Sequence, residues 1–130
     1  MIVIDASALL EALLRTPDAR AVDRWLFEPG QTLHAPHLID VEVAQAIRRL
    51  TLSREVDDER GREALDNLAD LSIDRHSHRP LLPRVWQLRD NFSAYDAVYV
   101  ALAEVIDAPL LTRDHRLASA ASKYVSVTLV

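Results

Sequence analysis

The chain has 130 residues, nearly half of them apolar, with no cysteine and a formal charge of -5. That length suits one domain that buries about two thirds of its unfolded surface. The absence of cysteine excludes a disulfide framework and a thiolate metal site, and the negative charge speaks against a general nucleic-acid coat.

No apolar run approaches the ~20 residues that cross a bilayer. No basic leader precedes the first apolar run, which begins at the initiator methionine, so a soluble, cytoplasmic protein is expected. The cations are arginines apart from Lys123. Arginine suits bidentate phosphate contact, although biased codon usage gives the same count.

Ile2-Val3-Ile4 reads as a buried strand that stops at Asp5. Leu9, Leu10, Leu13 and Leu14 then recur at helical spacing, with Ser7 placed to cap that helix and Asp5 an alternative cap. Thr16-Pro17-Asp18 breaks it, and a second helix runs through Ala21, Val22, Trp25 and Leu26 to Pro29-Gly30. Thr32 to Ala35 is expected as the second strand.

From Leu38 to Leu52 a helix presents Ile39, Val43, Ala46, Ile47 and Leu50 on one face, with Glu42 at its margin. A carboxylate beside the core needs a partner, and an ion pair with Arg49 is the plain expectation. Val56 to Leu68 follows as a charge-rich helix, and Leu71 to Asp74 as a third strand. His76 and His78 are expected as solvated loop residues. Pro80 and Pro83 suit the first turns of a helix carrying Leu82, Val85, Trp86 and Leu88.

Ser93-Ala94-Tyr95-Asp96 has the spacing of a capping box. The helix it opens, Ala97 to Ile106, is apolar on nearly every side apart from Tyr99 and Glu104. Leu110-Leu111-Thr112 then repeats the grammar of the N-terminus, with an apolar strand, an acid at Asp114 and a helix. Tyr124 to Val130 reads as a last strand. This alternation predicts an α/β fold, a single domain over residues 1–130 around a mostly parallel sheet.

Asp5 and Asp114 close two strands, and if those strands are neighbours their carboxyl ends meet at a topological switch point. Glu42 and Asp96 stand on helices able to line the same crevice. Four anions brought together repel one another, and a hard divalent cation resolves the conflict. An all-oxygen site favours magnesium or manganese over zinc.

Val3-Ile4-Asp5-Ala6-Ser7, Glu42 in a helix after a proline, Ser93-Ala94-Tyr95-Asp96-Ala97 and Leu111-Thr112-Arg113-Asp114 together resemble a PIN domain. The resemblance covers essentially the whole chain and is closest to the VapC ribonuclease toxins of type II toxin–antitoxin pairs. It implies a three-layer fold with a five-stranded parallel sheet in the order 3-2-1-4-5 flanked by helices.

The same resemblance implies an endoribonuclease that uses Mg2+ or Mn2+, with Asp5, Glu42, Asp96 and Asp114 as the catalytic, metal-binding quartet. An RNA substrate, a small antitoxin protein and a homodimer follow as partners. The family often has asparagine three residues after the glutamate, where this chain has Gln45. The family's occasional fifth acid has no counterpart in His115-Arg116-Leu117. Ser7, Thr112, Arg113 and Arg116 are candidates for nucleic-acid contact.

Two rival readings use the same acids. A haloacid-dehalogenase-like phosphotransferase would take Asp5 as nucleophile, but such enzymes usually carry a second acid where this chain has Ser7. A phospho-receiver domain needs a lysine after a late strand, and Lys123 is poorly placed. A PIN-like domain that binds RNA without cutting it is a further alternative.

Overall fold

A computed structural model describes all 130 residues. The elements run β1 (Ile2–Ile4), α1 (Ala6–Leu13), α2 (Ala19–Leu26), β2 (Leu33–Pro36), α3 (Leu38–Leu52), α4 (Asp58–Asp70), β3 (Ile73–His76), a 3-10 turn (Arg79–Leu81), α5 (Leu82–Gln87), α6 (Ala94–Ile106), β4 (Leu110–Thr112), α7 (His115–Ala121) and β5 (Val127–Leu129).

The β-branched run at the N-terminus becomes the middle of the sheet because all three side chains of β1 can be fully buried. A strand buried on both faces reads as a continuous apolar run rather than an alternating one. The five strands are all parallel in the order 3-2-1-4-5. In β1, Val3 aligns with His34 of β2 on one side and with Leu110 of β4 on the other. The strand order reverses between β1 and β4, so the expected neighbours are neighbours.

Right-handed crossovers place α1 to α4 over one face and α5 to α7 over the other. Consistent with this, α1 packs on α2, α3 and α4, whereas α5 packs on α6. The core is one contiguous cluster of 32 buried hydrophobic residues. Seven successive residues of α6, Ala97 to Ala103, are buried, so this helix crosses the sheet with no solvent-facing side over that span. No helix is long and apolar enough to cross a membrane.

Three local expectations change. The third strand begins two residues later than expected and extends to His76, which aligns with Pro36. His76 Nε2 lies 3.0 Å from His34 Nδ1, and His78 Nε2 accepts the Leu38 amide at 2.9 Å. These two histidines are therefore half-buried structural groups, hidden in sequence because a polar edge strand has almost no apolar signal. The last strand shrinks to Val127–Leu129, because the amides of Tyr124 and Val125 turn back to the Ala121 carbonyl to close α7. The cap of α1 is Asp5 rather than Ser7: the Asp5 carboxylate accepts the Ala8 amide at 3.0 Å.

Candidate active site

The parallel register brings the carboxyl ends of β1 and β4 together, and with them Asp5 and the segment Thr112-Arg113-Asp114. Asp5 is only 5% exposed and is held on both oxygens. Its Oδ1 accepts the Ser7 hydroxyl at 2.7 Å and the Ala8 amide; its Oδ2 accepts the Thr112 hydroxyl at 2.5 Å. Such a network fixes the orientation of the carboxylate before anything binds.

Asp114 caps α7, its Oδ1 accepting the amides of Arg116 and Leu117 at 2.8 and 3.1 Å. Its Oδ2 has no protein partner. Ser93 caps α6 by accepting the Asp96 amide at 3.1 Å. Only this half of the capping box forms: the Asp96 carboxylate does not return a bond to the Ser93 amide, and the nearby Ser93 hydroxyl offsets its charge only in part. Acid capping and site-building are thus compatible duties at the ends of β1 and β4.

Glu42 projects from α3. Its partner is not Arg49 but Tyr99, whose hydroxyl donates to Glu42 Oε1 at 2.7 Å. Tyr99 is 2% exposed, three residues after Asp96 on α6. Sequence alone does not mark Tyr99 as part of the site; its one signal is a hydroxyl in an otherwise apolar span.

All four acids line one cavity of about 280 Å³, together with Ser7, Tyr99 and Arg49. None of the four takes part in an ion pair. The electrostatic consequence is plain at three of them. Burial raises the pKa of Asp5 above its ordinary value despite its hydrogen bonds. Burial raises Glu42 as well, with Asp5 and Asp96 adding to the rise and Tyr99 opposing it. Asp96 is raised by burial and then by Asp114, with the Ser93 hydroxyl and the Arg116 charge opposing the rise. The Tyr99 phenol is pushed upward by burial and by Glu42, so it stays protonated and donating.

No three acid or histidine side chains are grouped tightly enough to enclose an ion by themselves. The donor set still fits a hard cation. Free carboxylate oxygens line the cavity from Asp96, Asp114 and Glu42, and none of them is ion-paired, Arg116 offsetting the charge of Asp96 only in part. Magnesium usually keeps several waters and takes only part of its shell from carboxylates, so an open wall of acids suits it better than a closed cage. A larger depression of about 790 Å³, between Glu104, Asp107 and Lys123, gathers no comparable set of acids.

The other expected contacts divide. Thr112 is fully buried and its hydroxyl is committed, donating to Asp5 and accepting the Asp114 amide at 3.0 Å, so it positions acids and does not reach a nucleic acid. Ser7 donates to Asp5 and accepts the Arg113 amide at 2.9 Å. Arg113 is ion-paired with Glu11 at 3.2 Å and Asp18 at 3.1 Å, which ties the end of β4 to α1 and the start of α2. Only Arg116 is left exposed and unpaired.

The PIN domain family model matches residues 2–123. Ribonuclease VapC1 of Mycobacterium tuberculosis is 45% identical over 129 residues, covering 98% of this chain and 96% of that protein. Among solved structures, PAE2754 from Pyrobaculum aerophilum superposes with a TM-score of 0.74 at 23% identity, covering 97% of this chain and 82% of the other. VapBC2 from Rickettsia felis, solved bound to a DNA fragment from its promoter, gives a TM-score of 0.66 at 14% identity, with 99% and 98% covered. The two structures share the fold, and the sequence relative goes further: the chain belongs to the PIN domain family and, within it, to the VapC ribonucleases.

Proposed function

We propose that this chain is a divalent-metal-dependent endoribonuclease acting as the toxin of a type II toxin–antitoxin pair. The observation that carries the reading is the convergence of four carboxylates on one cavity with no cation paired to any of them. Membership of the VapC ribonucleases supplies the substrate class. One domain over residues 1–130, working in the cytoplasm, carries the activity.

Asp5, Asp96 and Asp114 would hold magnesium or manganese, and Glu42 would hold a second ion or orient the attacking water. A bound ion lowers the pKa of water and offsets charge on the scissile phosphate. The chain's own residues prepare for this. Thr112 and Ser7 fix Asp5, and Tyr99 occupies Glu42 Oε1 while leaving Oε2 to accept a hydrogen bond from water. Attack by water needs no ribose 2′-hydroxyl, so the products carry 5′-phosphate and 3′-hydroxyl ends.

The phosphotransferase alternative is disfavoured by Asp5 itself. Both of its oxygens are engaged, and Ser7 spends its hydroxyl on Asp5 rather than acting as an acid. An antitoxin with a basic C-terminal segment would complement the uncompensated acids, and a homodimer follows from the family resemblance.

Expression in a growing cell tests the toxin reading. The chain alone should arrest growth, Asp5→Asn should relieve the arrest, and a small neighbouring reading frame should neutralise it. Arrest that persists with Asp5→Asn would remove the ribonuclease site from the explanation.

A further inference from the structure

A polyanion approaching four acids that no ion pair neutralises is repelled unless cations flank them. Two arginines beside the acid cavity are exposed and form no ion pair. Arg49 lines that cavity from α3, on the same helical stripe as Glu42 and Ala46. Arg116 stands on α7 and lines a second cavity of about 420 Å³.

The second cavity begins where the first ends. Asp96, Asp114 and Leu117 line both, so the two form one continuous path across the acids. Beyond the shared wall, Phe92 and Leu117, both mostly buried, give the second cavity an apolar floor with Ala120. Asn91 lies on its rim, donating from Nδ2 to the Tyr124 hydroxyl at 3.1 Å and leaving its carbonyl oxygen without a protein partner. An apolar floor, a free amide carbonyl and a free guanidinium together match one unstacked nucleotide: base, base edge and phosphate.

We propose that this second cavity is a nucleotide subsite, seating the unpaired nucleotide next to the scissile phosphate with Arg116 on its phosphate and its base over Phe92, Leu117 and Ala120. The subsite deepens the ribonuclease reading and rests on it for its substrate. Arg49, on the far side of the acids, takes the strand where it leaves them. A duplex cannot use the subsite, because its bases are stacked and paired, so single-stranded RNA is selected by shape.

The test uses the full chain in an Asp5→Asn background, which keeps the RNA intact, and a fluorescent single-stranded RNA of mixed sequence. Fluorescence anisotropy gives Kd over a range of salt. Adding Arg116→Ala should raise Kd about tenfold and reduce the slope of log Kd against log salt by about 0.7, one phosphate contact on a single strand. Ala120→Leu, which fills the floor, should raise Kd and leave the slope alone. Arg54→Ala, removing the same charge from the turn after α3, should change neither.

Unchanged Kd and slope on Arg116→Ala would overturn the subsite. Cleavage by the unmutated chain, measured in parallel, separates the two claims. Cleavage without an Arg116 effect removes the subsite alone, and an Arg116 effect without cleavage removes the ribonuclease reading alone. A chain that neither binds nor cuts RNA removes both.

Discussion

The Tyr99 hydroxyl, buried in α6, donates to Glu42 Oε1 on α3 at 2.7 Å. Residues 57 positions apart are thereby joined across the acid cavity, and one of its four carboxylates is kept in place without a cation. Because Tyr99 is 2% exposed, its ring cannot swing aside to relieve a lost bond.

Tyr99→Phe keeps the ring and removes the bond. Glu42 is then left half-buried among other acids with no donor. Hydrogen bonds to charged groups contribute about 1.5–3 kcal/mol, and partial exposure of Glu42 reduces this, so a loss of about 1 kcal/mol is expected. Urea unfolding measures it, and cleavage should fall as well because Glu42 is no longer positioned. A variant as stable and as active as the parent would show the bond to be idle.

The raised pKa values make the apo site a cost at neutral pH. A carboxylate whose folded pKa exceeds its unfolded value contributes stability that is fully present below the unfolded pKa and lost as pH rises through the folded one. Burial and Asp114 outweigh the relief that Ser93 and Arg116 give the Asp96 carboxylate, and Asp96→Asn removes the charge while keeping an oxygen for the Ser93 hydroxyl. In chelator, this variant should melt roughly 2–4 °C above the parent at neutral pH, with the gap closing as pH falls toward about 4. Added magnesium or manganese should raise the parent's Tm and leave the variant's nearly unmoved. A variant that melts below its parent in chelator would contradict the electrostatic picture.

Thr112→Val swaps a fully buried hydroxyl for a methyl of similar shape. It strips the donor from Asp5 Oδ2 and the acceptor from the Asp114 amide. Leaving buried groups unsatisfied costs about 1–3 kcal/mol, readable by denaturant unfolding. RNA affinity measured without turnover should hold while cleavage falls, since Thr112 acts through the acids and does not face the substrate.

Much of this was legible in the chain. The apolar runs before Asp5 and before Arg113-Asp114 are short and lack alternation, as doubly buried strands do, and they mark both strand-end acids directly. Asp96 stood out as a charge at the mouth of a buried helix. The sheet order came from family resemblance, because strands of three residues carry no pairing information of their own.

What was illegible depended on contacts distant in sequence. The choice of Tyr99 over Arg49 as partner of Glu42 is made by packing between α3 and α6. Thr112 and Arg113 sit next to each other, yet one points into the core and the other reaches Glu11 and Asp18; composition cannot separate them. His76 escaped because β3 is an edge strand whose side chains are mostly polar.

Asp5 anchors the proposed metal-dependent ribonuclease site. The direct measurement is cleavage of a single-stranded RNA by the purified chain and by Asp5→Asn, resolved by electrophoresis with end-group analysis. Asparagine caps a helix about as well as aspartate, so the variant should fold, as circular dichroism will report. Cleavage is expected in magnesium or manganese and not in chelator, with 5′-phosphate ends and a loss on Asp5→Asn of about a thousandfold, roughly 4 kcal/mol of barrier. A folded Asp5→Asn variant that cuts at the parent's rate, or parental cleavage undiminished by chelator, would contradict the proposed site.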